Sequence, residues 1–211
     1  MMEDIKLIYG YDPLCGWCYA FSNQIGQVQQ RLPNLKIEVV YGGLVVGERV
    51  GPIKNHAGYL LQGEQQLFAR TGIAFGKQFK DKLLHQGTYV SDSEPPCRAV
   101  WVMQKLKPEH AFAFANELPT AHYWDGIALD DPAQLARIAS RYGVEDRLFV
   151  ETWQSEDAKK GVVSAFQLAR TKGVVSYPTL WLERDGQKED FVKGWQTSET
   201  IVEKLNELVH A

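Results

Sequence analysis

The sequence predicts an α/β fold interrupted by a helical block, and three observations carry that reading. Near the amino end, residues 5–9, 19–32 and 35–41 read as strand, helix and strand, the order of a βαβ unit. From about Leu44 to Lys172 the pattern changes to helices punctuated by glycine and proline. The end reverts to two strands joined by a tight turn, then a helix. The implied division is 1–43 with 173–211 as the mixed α/β domain and 44–172 as an all-helical insertion domain.

Ile5, Leu7, Ile8 and Tyr9 give the first strand its β-branched and apolar character, which suits burial. The turn at Asp12, Pro13 and Leu14 ends it. Phe21, Ile25, Val28 and Leu32 then recur at helical spacing until Pro33 and Asn34 stop the helix. Residues 35–41 alternate and then turn apolar, and Gly42 with Gly43 closes this second strand. A crossover of this kind is expected to be right-handed.

In the middle block, Leu60, Leu61, Leu67 and Phe68 predict one helix, and Phe75, Phe79, Leu83 and Leu84 another. Residues 91–96 form a turn whose prolines suit a helix start, followed by Ala99, Met103 and Leu106 in register. Pro108 begins the next segment, with Phe112, Ala115 and Leu118. Asp131 before Pro132 is an N-cap with proline at the first helical position, and Leu135, Ile138, Ala139 and Tyr142 share a face up to Gly143. Ser155 caps a last helix carrying Val162, Ala165, Phe166 and Ala169, ended by Gly173. Residues 179–183, a turn at Arg184, Asp185 and Gly186, and residues 189–192 then predict a β-hairpin. Residues 197–200 (Thr-Ser-Glu-Thr) offer caps to a final helix with Ile201, Leu205 and Leu208 on one face.

Length and composition bound the rest. The chain has 211 residues, enough for one large domain or a smaller one carrying an insertion. Hydrophobic residues make up 45% and charged residues 23%, so a packed core rather than disorder is expected. A net charge of −3, with no basic run longer than Lys159-Lys160, argues against nucleic acid or an anionic membrane as partner. The start, Met1 to Lys6, is acidic and lacks the basic and then long apolar build of a secretory signal. No apolar run reaches the roughly 18–20 residues of a membrane span. A cytoplasmic protein is the expectation.

Chemistry concentrates in Cys15-Gly16-Trp17-Cys18, at the junction of the first strand and first helix. In a first helical turn, residues three apart share a face, so the two sulfurs can meet. The first thiol also stands at the positive end of the helix, where unpaired N–H groups favour a thiolate. Three cysteines are too few for a disulfide scaffold, and in a reducing compartment such a pair is catalytic or metal-binding rather than structural. Zinc takes four ligands, and Cys97 with His56, His85, His110, His122 and His210 offers no second pair at ligand spacing, so no metal is expected. A reversible redox dithiol is the reading.

Two stretches carry a wider likeness: Asp12-Pro13-Leu14-Cys15-Gly16-Trp17-Cys18-Tyr19, and Gly173-Val174-Val175-Ser176-Tyr177-Pro178-Thr179-Leu180. In this layout the chain resembles the DsbA-like branch of the thioredoxin superfamily, and within it the FrnE-like, predicted protein-disulfide isomerase group. The layout matches over essentially the whole chain, but only these two stretches are specific. The resemblance implies a thioredoxin fold, βαβ plus ββα, split by a helical domain that roofs the active site. It also implies that Pro178 is cis and packs against the cysteines, leaving the backbone of Tyr177 free to pair with a substrate strand. From the residues alone, an ordinary trans proline opening a strand explains Pro178 as well.

On this reading Cys15 is the nucleophile, forming a mixed disulfide with substrate, and Cys18 is the resolving thiol. Tyr177 and Pro178 are candidates for substrate binding, Tyr177 through its main chain and its ring. Trp17 joins them because it lies between the cysteines. With Tyr19, Tyr123, Trp124 and Trp195 it would make an apolar peptide surface, although aromatics are more often core. Asp12 is a candidate for proton transfer, and turn chemistry before Pro13 explains it at least as well. Cys97 reads first as a small hydrophobe filling a helix start and second as a relay thiol, if its helix faces Cys15. No histidine stands between Cys15 and Cys18, which predicts a less oxidising couple than that of the most strongly oxidising DsbA proteins.

The expected function is that of a thiol–disulfide oxidoreductase or protein-disulfide isomerase acting on protein or peptide thiols and disulfides, with a redox partner that recycles it. No cofactor is expected beyond glutathione as a thiol co-substrate. The alternative is a glutathione-dependent transferase or isomerase of the kappa-class or chromene-carboxylate isomerase type, acting on a small molecule. Those relatives carry a single serine or cysteine at the first position, so the intact pair argues against it. A partner-binding module that has kept the fold is a third reading.

Overall fold

β1 (Ile5–Tyr11), α1 (Gly16–Arg31) and β2 (Lys36–Tyr41) make the expected strand–helix–strand unit, the two strands parallel from Lys6 beside Lys36 to Tyr11 beside Tyr41. The computed structural model describes residues 5–210, with side chains as far as 208. The acidic stretch 1–4, used above against a leader, and the side chain of His210, counted among candidate ligands, lie outside the described residues.

The insertion is helical but for one short ladder. β3 (Gly51–Pro52) precedes α2 (Ala57–Thr71), and α3 (Lys77–Phe79) runs into a π-helical turn, Lys80–Leu84. β4 (Val90–Ser91) then pairs antiparallel with β3, which corrects the all-helical expectation for this block. Two residues a strand leave no alternation to detect, so periodicity could not have shown it. After these come α4 (Glu94–Leu106), α5 (Ala111–Tyr123), α6 (Pro132–Ser140), α7 (Asp146–Gln154) and α8 (Glu156–Thr171). Asp131 and Ser155 cap α6 and α8 with their side chains, as their positions in the sequence predict. The sequence gives no strong sign of α7. It buries only Phe149 and Trp153, and its N-cap is the less usual Glu145, which accepts from the N–H groups of Arg147 and Leu148. The apolar pattern of Phe112, Ala115 and Leu118 predicts α5 as far as Leu118, but the helix continues through Pro119 to Tyr123.

β5 (Thr179–Arg184), β6 (Gln187–Lys193) and α9 (Ser198–His210) close the chain. The hairpin turn places Asp185 at φ 52° and Gly186 at φ 74°, the left-handed conformation that these residue types tolerate. β5 lies antiparallel to β1, giving the sheet order β2-β1-β5-β6. Leu7, Tyr9 and Tyr11 face one side of the sheet, into the main core with Phe21, Ile25 and Val28 of α1. Ile8 faces the other, against Val40, Val174 and Trp181. This alternation is the period-two pattern of a strand covered on both faces. A further cluster joins the start of α1 to the insertion, with Tyr19, Phe75, Phe79 and Tyr123 packed together.

Candidate active site

The turn between β1 and α1 is built by Asp12. Its Oδ1 accepts the Leu14 N–H at 2.9 Å, an Asx turn, and its main-chain oxygen accepts the Cys15 N–H at 3.1 Å. The same carboxylate reaches into the insertion: Oδ1 accepts from the Ser93 hydroxyl at 3.0 Å and Oδ2 from the Leu44 N–H at 2.7 Å. Ser93 in turn accepts from the Val45 N–H at 2.9 Å. Burial pushes the Asp12 carboxyl up to about 6, against the pull of its hydrogen bonds to Leu44, Leu14 and Ser93. From the opposite side, the Tyr123 hydroxyl donates to the Leu14 carbonyl at 2.6 Å.

Held this way, Cys15 is the N-cap residue of α1, with extended backbone, and Cys18 lies within the first turn. All three cysteines are free thiols. Cys15 is 6% exposed and Cys18 is fully sealed. Burial pushes the Cys18 thiol well above its ordinary range, and the neighbouring Cys15 adds to this, while the Asp12 N–H acts in the opposite direction. Cys97, also sealed, sits in the first turn of α4, and burial raises its thiol well above the ordinary range; the charges acting on it are Asp12, Glu94 and Asp92.

The loop before β5 comes to the same place. The Cys15 Sγ lies 3.7 Å from the Tyr177 carbonyl oxygen, the Tyr177–Pro178 bond is cis, and Pro178 is buried. The Tyr177 ring turns inward over Gly42: a Cβ there would lie 2.1 Å from the tyrosine hydroxyl oxygen. The ring therefore packs at the end of β2, half-buried, while the main-chain oxygen meets the thiol.

The aromatic residues divide. Tyr19 and Tyr123 are buried, in the cluster with Phe75 and Phe79, so they are core rather than surface. The Trp195 indole N–H donates to the Ala20 carbonyl at 3.1 Å. Trp124 is exposed at 55%. Trp17 is half-buried beside α2, with the Arg70 guanidinium 5.9 Å from its ring. With Tyr59, Leu60 and Phe75 it lines a cleft of about 140 Å³. A second cleft of about 220 Å³ opens beside Leu14, walled by Leu44, Val45, Arg49, His56 and Tyr59. Leu60, Leu61, Leu67 and Phe68 do lie on one helix, α2; Leu67 is buried, while Leu61 and Phe68 are exposed at 44% and 57%.

Ser93 and Arg49 carry no mark of a site role in the sequence, and Gly42-Gly43 signals only a strand stop. Ser93 stands just before Glu94, Pro95 and Pro96, where serine reads as a cap; its hydroxyl serves Asp12 instead. The whole arrangement is a nearly buried thiol at a helix mouth with a fully sealed thiol behind it, an order suited to stepwise disulfide exchange.

Compared with known proteins, the chain matches the family model described as DSBA-like thioredoxin domain over residues 7–206. No curated protein matches it. Among solved structures it is similar to a Nitrosomonas europaea protein described as a candidate protein disulfide isomerase, with 24% identity, 98% of each chain covered and a TM-score of 0.80. It is similar to the cytosolic disulfide reductase DsbM from Pseudomonas aeruginosa, with 25% identity over 97% of this chain and 98% of that one, and a TM-score of 0.79. The structure of DsbM with GSH aligns at 23% identity over 98% of this chain and 100% of that one, with a TM-score of 0.77.

Proposed function

The chain belongs to the DSBA-like thioredoxin domain family, and from that premise we propose that it is a thiol–disulfide oxidoreductase working through Cys15 and Cys18. The Cys15 thiolate attacks one sulfur of a substrate disulfide, forming a mixed disulfide and expelling the first substrate thiolate. Cys18 then attacks the Cys15 sulfur, releases the second substrate thiol and leaves a Cys15–Cys18 disulfide. Two electrons pass from the protein dithiol to the substrate, and a thiol donor restores the pair. The same steps run backwards oxidise a substrate dithiol. The observation that carries the reading is the Cys15 Sγ at 3.7 Å from the Tyr177 carbonyl, with Cys18 sealed behind it.

DsbM is described as a cytosolic disulfide reductase, and we assign this chain the same direction and compartment. Among the described residues no helix is long and apolar enough to cross a membrane. Glutathione is the proposed recycling thiol: the cleft beside Leu14, the residue before Cys15, is walled in part by Arg49, a cation suited to a carboxylate. Peptide and protein disulfides are the proposed substrates, meeting the Tyr177 main chain and the half-buried Trp17. Asp12 holds the turn and, with its carboxyl near 6, can also take up a proton close to neutral pH. The transferase or isomerase reading has less support, since it gives the second thiol no task.

Insulin reduction driven by glutathione tests the proposal, with transferase assays run beside it. Cys15→Ser is expected to abolish reduction, and Cys18→Ser to stall as a mixed disulfide on Cys15. Turnover that survives Cys15→Ser, or transfer of glutathione to an electrophile at a rate indifferent to Cys18→Ser, contradicts it.

A further inference from the structure

Tyr9, in the middle of β1, is fully buried, its ring 5.3 Å from that of Tyr11 and 5.8 Å from that of Phe21. Its hydroxyl is sealed from solvent and has no hydrogen-bond partner. Leaving a buried hydroxyl unpaired is costly, and phenylalanine would fill the same space without that cost. Tyr9 packs against α1 through Phe21 and shares the main buried cluster with Cys18 and Cys15, and of the titratable groups Cys18 acts on its hydroxyl first and Cys15 second.

Cys18 has the complementary need. It must carry a negative charge, either to attack the mixed disulfide or to leave when the protein disulfide is opened at Cys15. It is sealed from water, and the Asp12 N–H is the donor that favours its charged form. A buried thiolate with few donors is strongly disfavoured, so a second donor changes its stability substantially. We propose that the Tyr9 hydroxyl is that second donor: unpaired while Cys18 is a neutral thiol, and hydrogen-bonded to the sulfur when Cys18 is a thiolate.

The inference rests on the Cys15–Cys18 exchange reading, and its chemistry balances within it. Cys18 gives up its proton to solvent and becomes a thiolate; the Tyr9 O–H stays intact and donates to it. The Cys18 sulfur attacks the Cys15 sulfur, the Cys15–substrate bond breaks, and the substrate sulfur leaves with the electron pair and takes a proton from solvent. In the reverse direction Tyr9 steadies Cys18 as the leaving thiolate.

Stopped-flow reaction with the aromatic disulfide dithiobis(nitrobenzoate) separates the steps, because attack by Cys15 releases one coloured thiolate and attack by Cys18 releases the second. Tyr9→Phe is expected to leave the first phase within about twofold while slowing the second about tenfold or more, with the second-phase pH profile moved to higher pH. Its thermal midpoint should be unchanged or higher, since only an unpaired hydroxyl is lost. Tyr11→Phe removes another unpaired buried hydroxyl, but one acted on most by Cys97, and is expected to leave both phases alone. An unchanged second phase in folded Tyr9→Phe overturns the inference, as does equal slowing by Tyr11→Phe. Should Tyr9→Phe not fold, 3-fluorotyrosine at position 9 keeps the ring and supplies a more acidic donor. The second-phase profile should then move to lower pH, and an unmoved profile overturns the inference. If wild-type protein releases no second thiolate, the exchange reading itself has failed, which is a distinct result.

Discussion

The Cys15 Sγ lies 3.7 Å from the carbonyl oxygen of Tyr177, a residue 162 positions further along the chain. Between them in sequence runs the whole insertion, so the site exists only when β1 and β5 are paired. That pairing runs from Ile5 beside Arg184 to Gly10 beside Thr179, ending next to the turn that delivers Cys15.

Gly42 sets where Tyr177 can sit. A Cβ at this position would lie 2.1 Å from the tyrosine hydroxyl oxygen and 3.3 Å from the ring carbon bearing it. Gly42→Ala should therefore displace the ring and the main chain attached to it, lowering insulin reduction about tenfold to a hundredfold. Adding Tyr177→Phe removes the closer contact and should restore most of the activity. Full activity in the single variant, or no recovery in the double, would show that the ring's seat does not position the loop.

Asp12 gives stability a pH dependence of definite sign. Its carboxyl is raised from an ordinary 3.8 to about 6, so between those values the folded protein holds a proton that the unfolded chain has lost. The stabilising contribution is complete below the lower value and disappears as pH rises through the upper one. The shift corresponds to about 3 kcal/mol. Urea titrations of wild type and Asp12→Asn should show the wild type losing about that much relative to the variant as pH climbs from about 4 to about 7. Parallel pH profiles would contradict the assignment.

Tyr123 ties the insertion to the residue before the nucleophile. Tyr123→Phe keeps the ring in its cluster but deprives the Leu14 carbonyl of a 2.6 Å hydrogen bond. A loss of about 1–3 kcal/mol in unfolding free energy is expected. Insulin reduction should fall as well, measured under conditions where the variant is fully folded. Lost stability with unaltered activity would make this a purely structural contact.

Much of this was legible in the sequence because its signals are local. Cys15 and Cys18 mark the first turn of α1, Asp131 and Ser155 cap their helices, and Asp185-Gly186 marks the hairpin turn. What escaped notice depends on contacts across the chain. Ser93 and Asp12 are 81 residues apart, and nothing around either one names the other. Periodicity locates α2 correctly but does not foresee that Leu61 and Phe68 stay exposed, since an apolar pattern says which residues share a helix and not what covers them. The short β3–β4 ladder fell below the length at which alternation can be read.

The reduction potential of the Cys15–Cys18 couple tests the central claim most directly. Equilibrate the protein across glutathione buffers, quench with a thiol-alkylating reagent and weigh the peptides. The account predicts one two-electron transition that involves Cys15 and Cys18 alone, leaves Cys97 a free thiol throughout, and lies below the roughly −120 mV of the strongly oxidising DsbA. A pair that forms no disulfide at any glutathione ratio, or a disulfide that includes Cys97, would contradict it.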